Sequence, residues 1–117
     1  MLKRSSSSVK VYLPAFNREE LIAQLQRKIP DLCQVLPVTR VVLFGSYARD
    51  QYTAASDIDL LVVYAGESNP QAYALVRRTL GIRRLEPHVY TESEYLQVKD
   101  VVERMIQSGI ALYPPIR

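Results

Sequence analysis

Cysteine is almost missing from this chain: Cys33 is the only one in 117 residues. An intramolecular disulfide is therefore impossible and a cysteine-based metal site is excluded. Cys33 itself reads as a small, half-buried hydrophobe. No stretch approaches the ~18 consecutive apolar residues of a membrane span. The opening MLKRSSSSVK sets serines where a secretory signal needs an apolar run. These absences point to the cytoplasm and away from any membrane. An excess of charge is lacking too: 15 Lys and Arg against 12 Asp and Glu leave a net +3. That balance suits a nucleotide, an acidic protein or RNA without choosing among them. Internal repeats are absent, and so is any sign of a second domain. What remains is ordinary globular material, 48% hydrophobic, enough for one domain with one core. Residues 1–8 read as a flexible tail and 9–117 as the folded unit; nothing in the pattern decides for or against self-association.

Taken in order, Val9, Val11 and Leu13 alternate with polar positions like a half-buried strand that Pro14 limits. Asn17 with Glu20 makes a capping box. Leu21, Ile22, Leu25 and Ile29 form one helical face, which Pro30 is expected to end. Asp31 to Thr39 then serves as a connector, with Leu32, Val35 and Leu36 tucked beneath a sheet. Val41–Phe44 is a strand, Tyr47–Tyr52 a short helix, Thr53–Ser56 a loop, and Leu60–Val63 a second strand. Asn69-Pro70 opens a helix whose inner face is Ala72, Tyr73, Val76 and Leu80, and Gly81 stops it. Arg84–Tyr90 is a third strand. Thr91 and Glu94 cap a last helix lined by Tyr95, Val98, Val101, Val102, Met105 and Ile106. Gly109 closes that helix, and Ile110–Tyr113 returns as a short strand before Pro114-Pro115 ends order. The pattern is α+β: a mixed sheet of about four or five strands with helices mainly on one face, which leaves a face or edge open.

The chemistry concentrates between Leu43 and Val63. Gly45 ends the first strand, where glycine permits a tight turn and a close approach to the backbone. Ser46 brings a hydroxyl and an N–H to the mouth of the expected helix, a favourable place for phosphate. Ten residues separate Ser46 from Asp57. Asp57 and Asp59 then open an apolar strand, and alternate strand positions share a face. Aspartate is depleted inside strands. Two carboxylates side by side repel unless a cation stands between them, so a divalent metal is the natural partner. A phosphate cradle beside a metal-binding pair suggests Mg²⁺-assisted nucleotidyl transfer.

Gly45-Ser46, the spacer, Asp57-x-Asp59 and a strand on each side resemble the signature of the DNA polymerase β-type nucleotidyltransferase superfamily. In length the chain resembles the minimal nucleotidyltransferases. The resemblance covers Val41 to Thr91 well and the flanking helices loosely. It implies a nucleotidyltransferase palm in which Gly45 and Ser46 hold the β and γ phosphates, while Asp57 and Asp59 hold a pair of Mg²⁺ ions. The third acid of such enzymes lies three positions before a Val-Tyr-Thr-like stretch. Here that stretch is Val89-Tyr90-Thr91 and the acid is Glu86, a glutamate where aspartate is commoner. Glu86 would ligate metal and take the proton of the attacking hydroxyl. Pro87 beside it removes a ladder donor, so this strand should be an edge or bulged.

Arg49 stands where the family often has Arg-Gly, followed here by Asp50; it is placed to pair with a phosphate or with neighbouring acids. Ser56 would fix the loop before Asp57 or face substrate. His88, the sole histidine, shares strand parity with Glu86. Arg77, Arg78, Arg83 and Arg84 form a basic cluster near a helix end, a solvated face or a partner patch. The resemblance further implies transfer of AMP from ATP to a hydroxyl. The acceptor it favours is a tyrosine of a HEPN-domain toxin, with this chain as antitoxin. Transfer to a small molecule or an RNA end, and neutralisation of a toxin by contact without catalysis, are the alternatives; nucleic acid is the less favoured partner because no long basic track is present.

Overall fold

Asn17 starts the first helix as its sequence foretells. Its side chain accepts from the Glu20 amide at 2.8 Å, while the Glu20 carboxylate accepts from the Asn17 amide at 3.0 Å. The computed structural model describes residues 17–115; the expected tail at 1–8, the strand at Val9–Leu13 and its limiting Pro14 lie outside those residues. Helix α1 covers Arg18–Val35 and runs straight through Pro30. This corrects the expectation that Pro30 ends it. The buried stripe Leu21, Leu25, Ile29, Leu32 continues past the proline, and Leu36 caps it at 2% exposure. Pro30 sits on the exposed side, so the helix gives up one backbone bond there and keeps the stripe. Val35, expected beneath the sheet, is half exposed instead.

Four strands follow in the described chain: β1 (Val38–Phe44), β2 (Ile58–Tyr64), β3 (Leu85–Thr91) and β4 (Ile110–Tyr113). Their order in the sheet is β3-β2-β1-β4. β1 pairs antiparallel with β2 and β4, and β2 pairs parallel with β3. The parallel pair needs a crossover, which α2 (Ala72–Leu80) supplies. Asn69 opens that crossover as an Asx turn, accepting from Gln71 N at 2.8 Å. Regular helix therefore starts only at Ala72. Gly81 ends it in the left-handed conformation at φ 60°. Ala72, Val76 and Leu80 are buried, but Tyr73 is 45% exposed; its ring lies under the Arg77 guanidinium, 6.0 Å away. Pro87 is accommodated because β3 is an edge strand.

The sheet carries apolar residues on both faces. Leu43, Leu60, Val62 and Tyr64 join α1 and α2 in the main core. Val42, Phe44, Leu61 and Val63 meet Val102 and Ile106 in a smaller one on the other face. The two long helices thus cover one face, and the short ones only part of its reverse. That reverse cover is α3 (Glu92–Gln97) followed by α4 (Lys99–Met105), not the single helix expected. They break at Val98 (φ −118°, ψ 18°). The break leaves Val98 and Val101 facing solvent, while Tyr95 and Met105 stay against the core. The Thr91–Glu94 capping box forms as read. Gly109 is needed for space: a Cβ there would come 2.7 Å from Val42 Cγ1.

Candidate active site

The turn after β1 does not become a helix. Gly45 adopts φ +79°, open to glycine at no steric cost. The chain then folds through successive turns, closed by Arg49 N to Gly45 O (3.1 Å), Asp50 N to Tyr47 O (3.2 Å) and Gln51 N to Ser46 O (2.8 Å). Among the described residues, the amides of Ser46, Tyr47 and Ala48 meet no backbone acceptor. These amides stay outside the backbone ladder of the described residues even though the helix expected at Tyr47–Tyr52 is not formed. Asp50 takes φ +59°, a left-handed position that glycine would fill without strain. The turn is anchored by side chains: Tyr47 stacks on Tyr52 with centroids 4.2 Å apart. The Tyr52 hydroxyl accepts from Arg18 N at 3.0 Å, and Arg18 Nη1 donates to Ala48 O at 3.1 Å. The start of α1 therefore holds the Gly45-Ser46 turn from behind.

Asp59 lies on β2 and Glu86 on β3, with Asp57 one residue ahead of β2. Asp59 pairs in register with Phe44 on one side and Glu86 on the other. A Cβ on Gly45 would collide with Asp59 Oδ2; the glycine is therefore the reason this carboxylate can lie against the turn. Burial raises the Asp59 pKa, and the charges of Asp57 and Glu86 raise it further, while His88 pulls it down. Asp57 and Glu86 thus lie within electrostatic reach of Asp59, and carboxylate oxygens are the hard donors that divalent cations prefer. In this structure the three acids do not meet at a point: among the described residues no three acidic, histidine or cysteine side chains converge as a ligand cluster. Asp57 Oδ1 turns to Arg84 Nη2 at 3.6 Å, and Asp59 Oδ1 faces His88 Nε2 at 3.6 Å.

Arg84 and His88 are the residues that sequence reading underweighted. Arg84 sits at φ +63°, and its carbonyl accepts from Ile58 N at 2.8 Å. Its guanidinium reaches Ala55 O at 2.6 Å and Ser56 O at 3.3 Å. It belongs to the loop before Asp57 rather than to a free basic patch. Ser56 serves the same loop, its hydroxyl accepting from Thr53 N at 2.9 Å. Arg49 Nε donates to Gln51 Oε1 at 3.4 Å. The alternation Arg84-x-Glu86-x-His88 was the available signal, because it puts all three on the face of Asp57 and Asp59.

Comparison with known proteins bears on this arrangement. The profile of the nucleotidyltransferase domain matches residues 22–111. This chain belongs to the nucleotidyltransferase domain family. A Methanocaldococcus jannaschii protein provisionally named a protein adenylyltransferase is 58% identical over 26 residues, 22% of this chain and 26% of that protein. A Sulfolobus solfataricus crystal structure, provisionally a nucleotidyltransferase, superposes with a TM-score of 0.57 at 26% identity, covering 81% of each chain. A toxin–antitoxin crystal structure with AMP-PNP gives a TM-score of 0.56 at 20% identity over 77% of this chain and 73% of its own; it shares the fold. The mixed α+β sheet and the assignment to nucleotidyl-transferring enzymes thus agree with the sequence reading. No described helix is long and apolar enough to cross a membrane.

Proposed function

We propose that this nucleotidyltransferase moves AMP from ATP to a protein hydroxyl, with a tyrosine of a HEPN-type toxin as the acceptor and this chain as its antitoxin. The observation that carries the reading is the packing of Gly45 against Asp59 with Asp57 and Glu86 alongside. It brings a turn whose Ser46, Tyr47 and Ala48 amides meet no backbone acceptor among the described residues next to carboxylates of the kind that hold divalent cations. Asp57 and Asp59, with Glu86, would hold Mg²⁺, which supplies charge neutralisation on the triphosphate and acidifies the attacking hydroxyl. The Ser46 hydroxyl and the turn amides would orient the β and γ phosphates. Glu86, exposed on the edge strand, would take the proton as the acceptor oxygen bonds to the α-phosphorus and the bond to pyrophosphate breaks. The likeness to a provisional protein adenylyltransferase and to a toxin–antitoxin pair supports a protein acceptor.

A second reading, neutralisation by contact, draws on one observation: Asp57 is engaged by Arg84 and the three acids do not converge. One experiment separates them. The chain is incubated with α-labelled ATP, Mg²⁺ and either a HEPN partner or RNA, and the label is located. Label on a partner tyrosine supports the proposal. Label only on RNA, or inhibition of the toxin with no label transferred, overturns it.

A further inference from the structure

His88 is a lone histidine on an edge strand, a place where an exposed ring would be unremarkable. Instead its Nε2 is sealed from solvent and has no hydrogen-bond partner. The ring leans on Phe44, centroids 5.1 Å apart and tilted by 57°, and Phe44 is itself only 6% exposed. A sealed ring nitrogen without a partner is destabilising, so stability alone does not explain its position. The acidic atom it faces is Asp59 Oδ1, at 3.6 Å. The other oxygen of the same carboxylate, Oδ2, lies over Gly45. The two oxygens of Asp59 are thus addressed from different sides, one by an imidazole and one by the turn. Every other titratable neighbour acting on Asp59 is an acid, Asp57 and Glu86, and both push it away from an ordered charged form.

We propose that His88 is a positioning residue for Asp59. The Nε2–H donates to Oδ1 once the carboxylate engages a divalent cation, and so fixes the carboxylate plane with its remaining lone pairs turned toward the Gly45 side. This inference rests on the reading that Asp57 and Asp59 bind metal. Outer partners of metal-binding groups act this way, and their loss typically weakens metal binding by about 10–100-fold. Phe44 has the matching task of holding the ring at its angle.

The test measures Mn²⁺ binding to the full chain by electron paramagnetic resonance, without nucleotide, for the natural sequence, Asp59→Asn, His88→Leu and His88→Gln. Leucine fills the space without a donor; glutamine can place an amide N–H where Nε2 lies. His88→Leu should weaken Mn²⁺ binding about 10–100-fold, and His88→Gln should recover most of the loss at an unchanged melting temperature. Tight binding that Asp59→Asn abolishes but His88→Leu leaves intact overturns the inference alone. Equal weakening in His88→Gln and His88→Leu also overturns it, since a donor would then be irrelevant. Binding that ignores Asp59→Asn, or no binding by the natural chain, overturns the metal reading and this inference with it. If His88→Leu does not fold, His88→Gln against the natural chain decides: a loss as large as about 10-fold contradicts the donor role.

Discussion

Asp59 carries a conflict that its neighbours only partly relieve. Burial and two adjacent acids raise its pKa, so the native state holds its proton more tightly than the unfolded chain does. Stability therefore falls as pH rises through the raised pKa. Asp59→Asn should abolish transfer yet raise the melting temperature in chelator at neutral pH, and the gain should shrink as pH is lowered until Asp59 is protonated. Thermal melts across pH check this; a gain that grows toward acid would contradict it. Glu86→Gln should leave ATP binding in place and lower transfer by about 10²–10⁴-fold, the usual worth of a positioned proton acceptor. Single-turnover assays beside equilibrium ATP binding separate the two effects. Ser46→Ala should weaken ATP by about 1.5–3 kcal/mol, one hydrogen bond to a charged group, with little change in the melt. Nucleotide titration of the folded variant is the measurement.

The turn from Gly45 to Gln51 depends on Asp50 sitting left-handed, and Asp50→Gly should stabilise the chain by up to about 1 kcal/mol in urea unfolding. That turn also shows where sequence reading stopped. That Asp59 and Glu86 lie in register on neighbouring strands is legible from strand parity, and the capping boxes at Asn17 and Thr91 are legible because they are local. The missed features depend on tertiary contact. Tyr47 stacking on Tyr52 replaces a helix with a pinned turn, and no periodicity encodes that. Pro30 read as a stop because its local cost is plain, whereas the benefit of burying Leu32 and Leu36 lies further along. Tyr73 and Val101 lie at the margins of inner faces whose other members Ala72, Val76, Leu80, Val102 and Ile106 are buried, and the helix breaks at Val98 ahead of the second. Arg84 adjoins Arg77, Arg78 and Arg83 in sequence, yet its left-handed backbone turns it back onto the Ala55–Asp57 loop.

For the molecule as a partner-binding body, the basic cluster must be redrawn. Arg84 belongs to the loop before Asp57, and Arg77 is tied to Leu85 O at 2.9 Å. Arg78 and Arg83 remain as exposed charges. Replacing both with glutamate should slow labelling of an acidic partner, mostly through the association rate, by about 10-fold at low salt. ATP affinity should stay unchanged. A salt series checks it: the deficit should narrow as ionic strength rises.

The parallel pairing of β2 with β3 has a kinetic consequence. β1 and β2 are joined by a single loop and zip as neighbours, but β3 reaches β2 only after the α2 crossover has been laid down. Contacts that close long loops form late and slowly. Asp57 and Asp59 will then be in place on a hairpin before Glu86, Arg84 and His88 arrive beside them. During refolding the acid pair passes through an interval without its basic neighbours. Divalent cations present at that moment should speed the final docking of β3, an acceleration that chelator removes and that Asp59→Asn no longer displays.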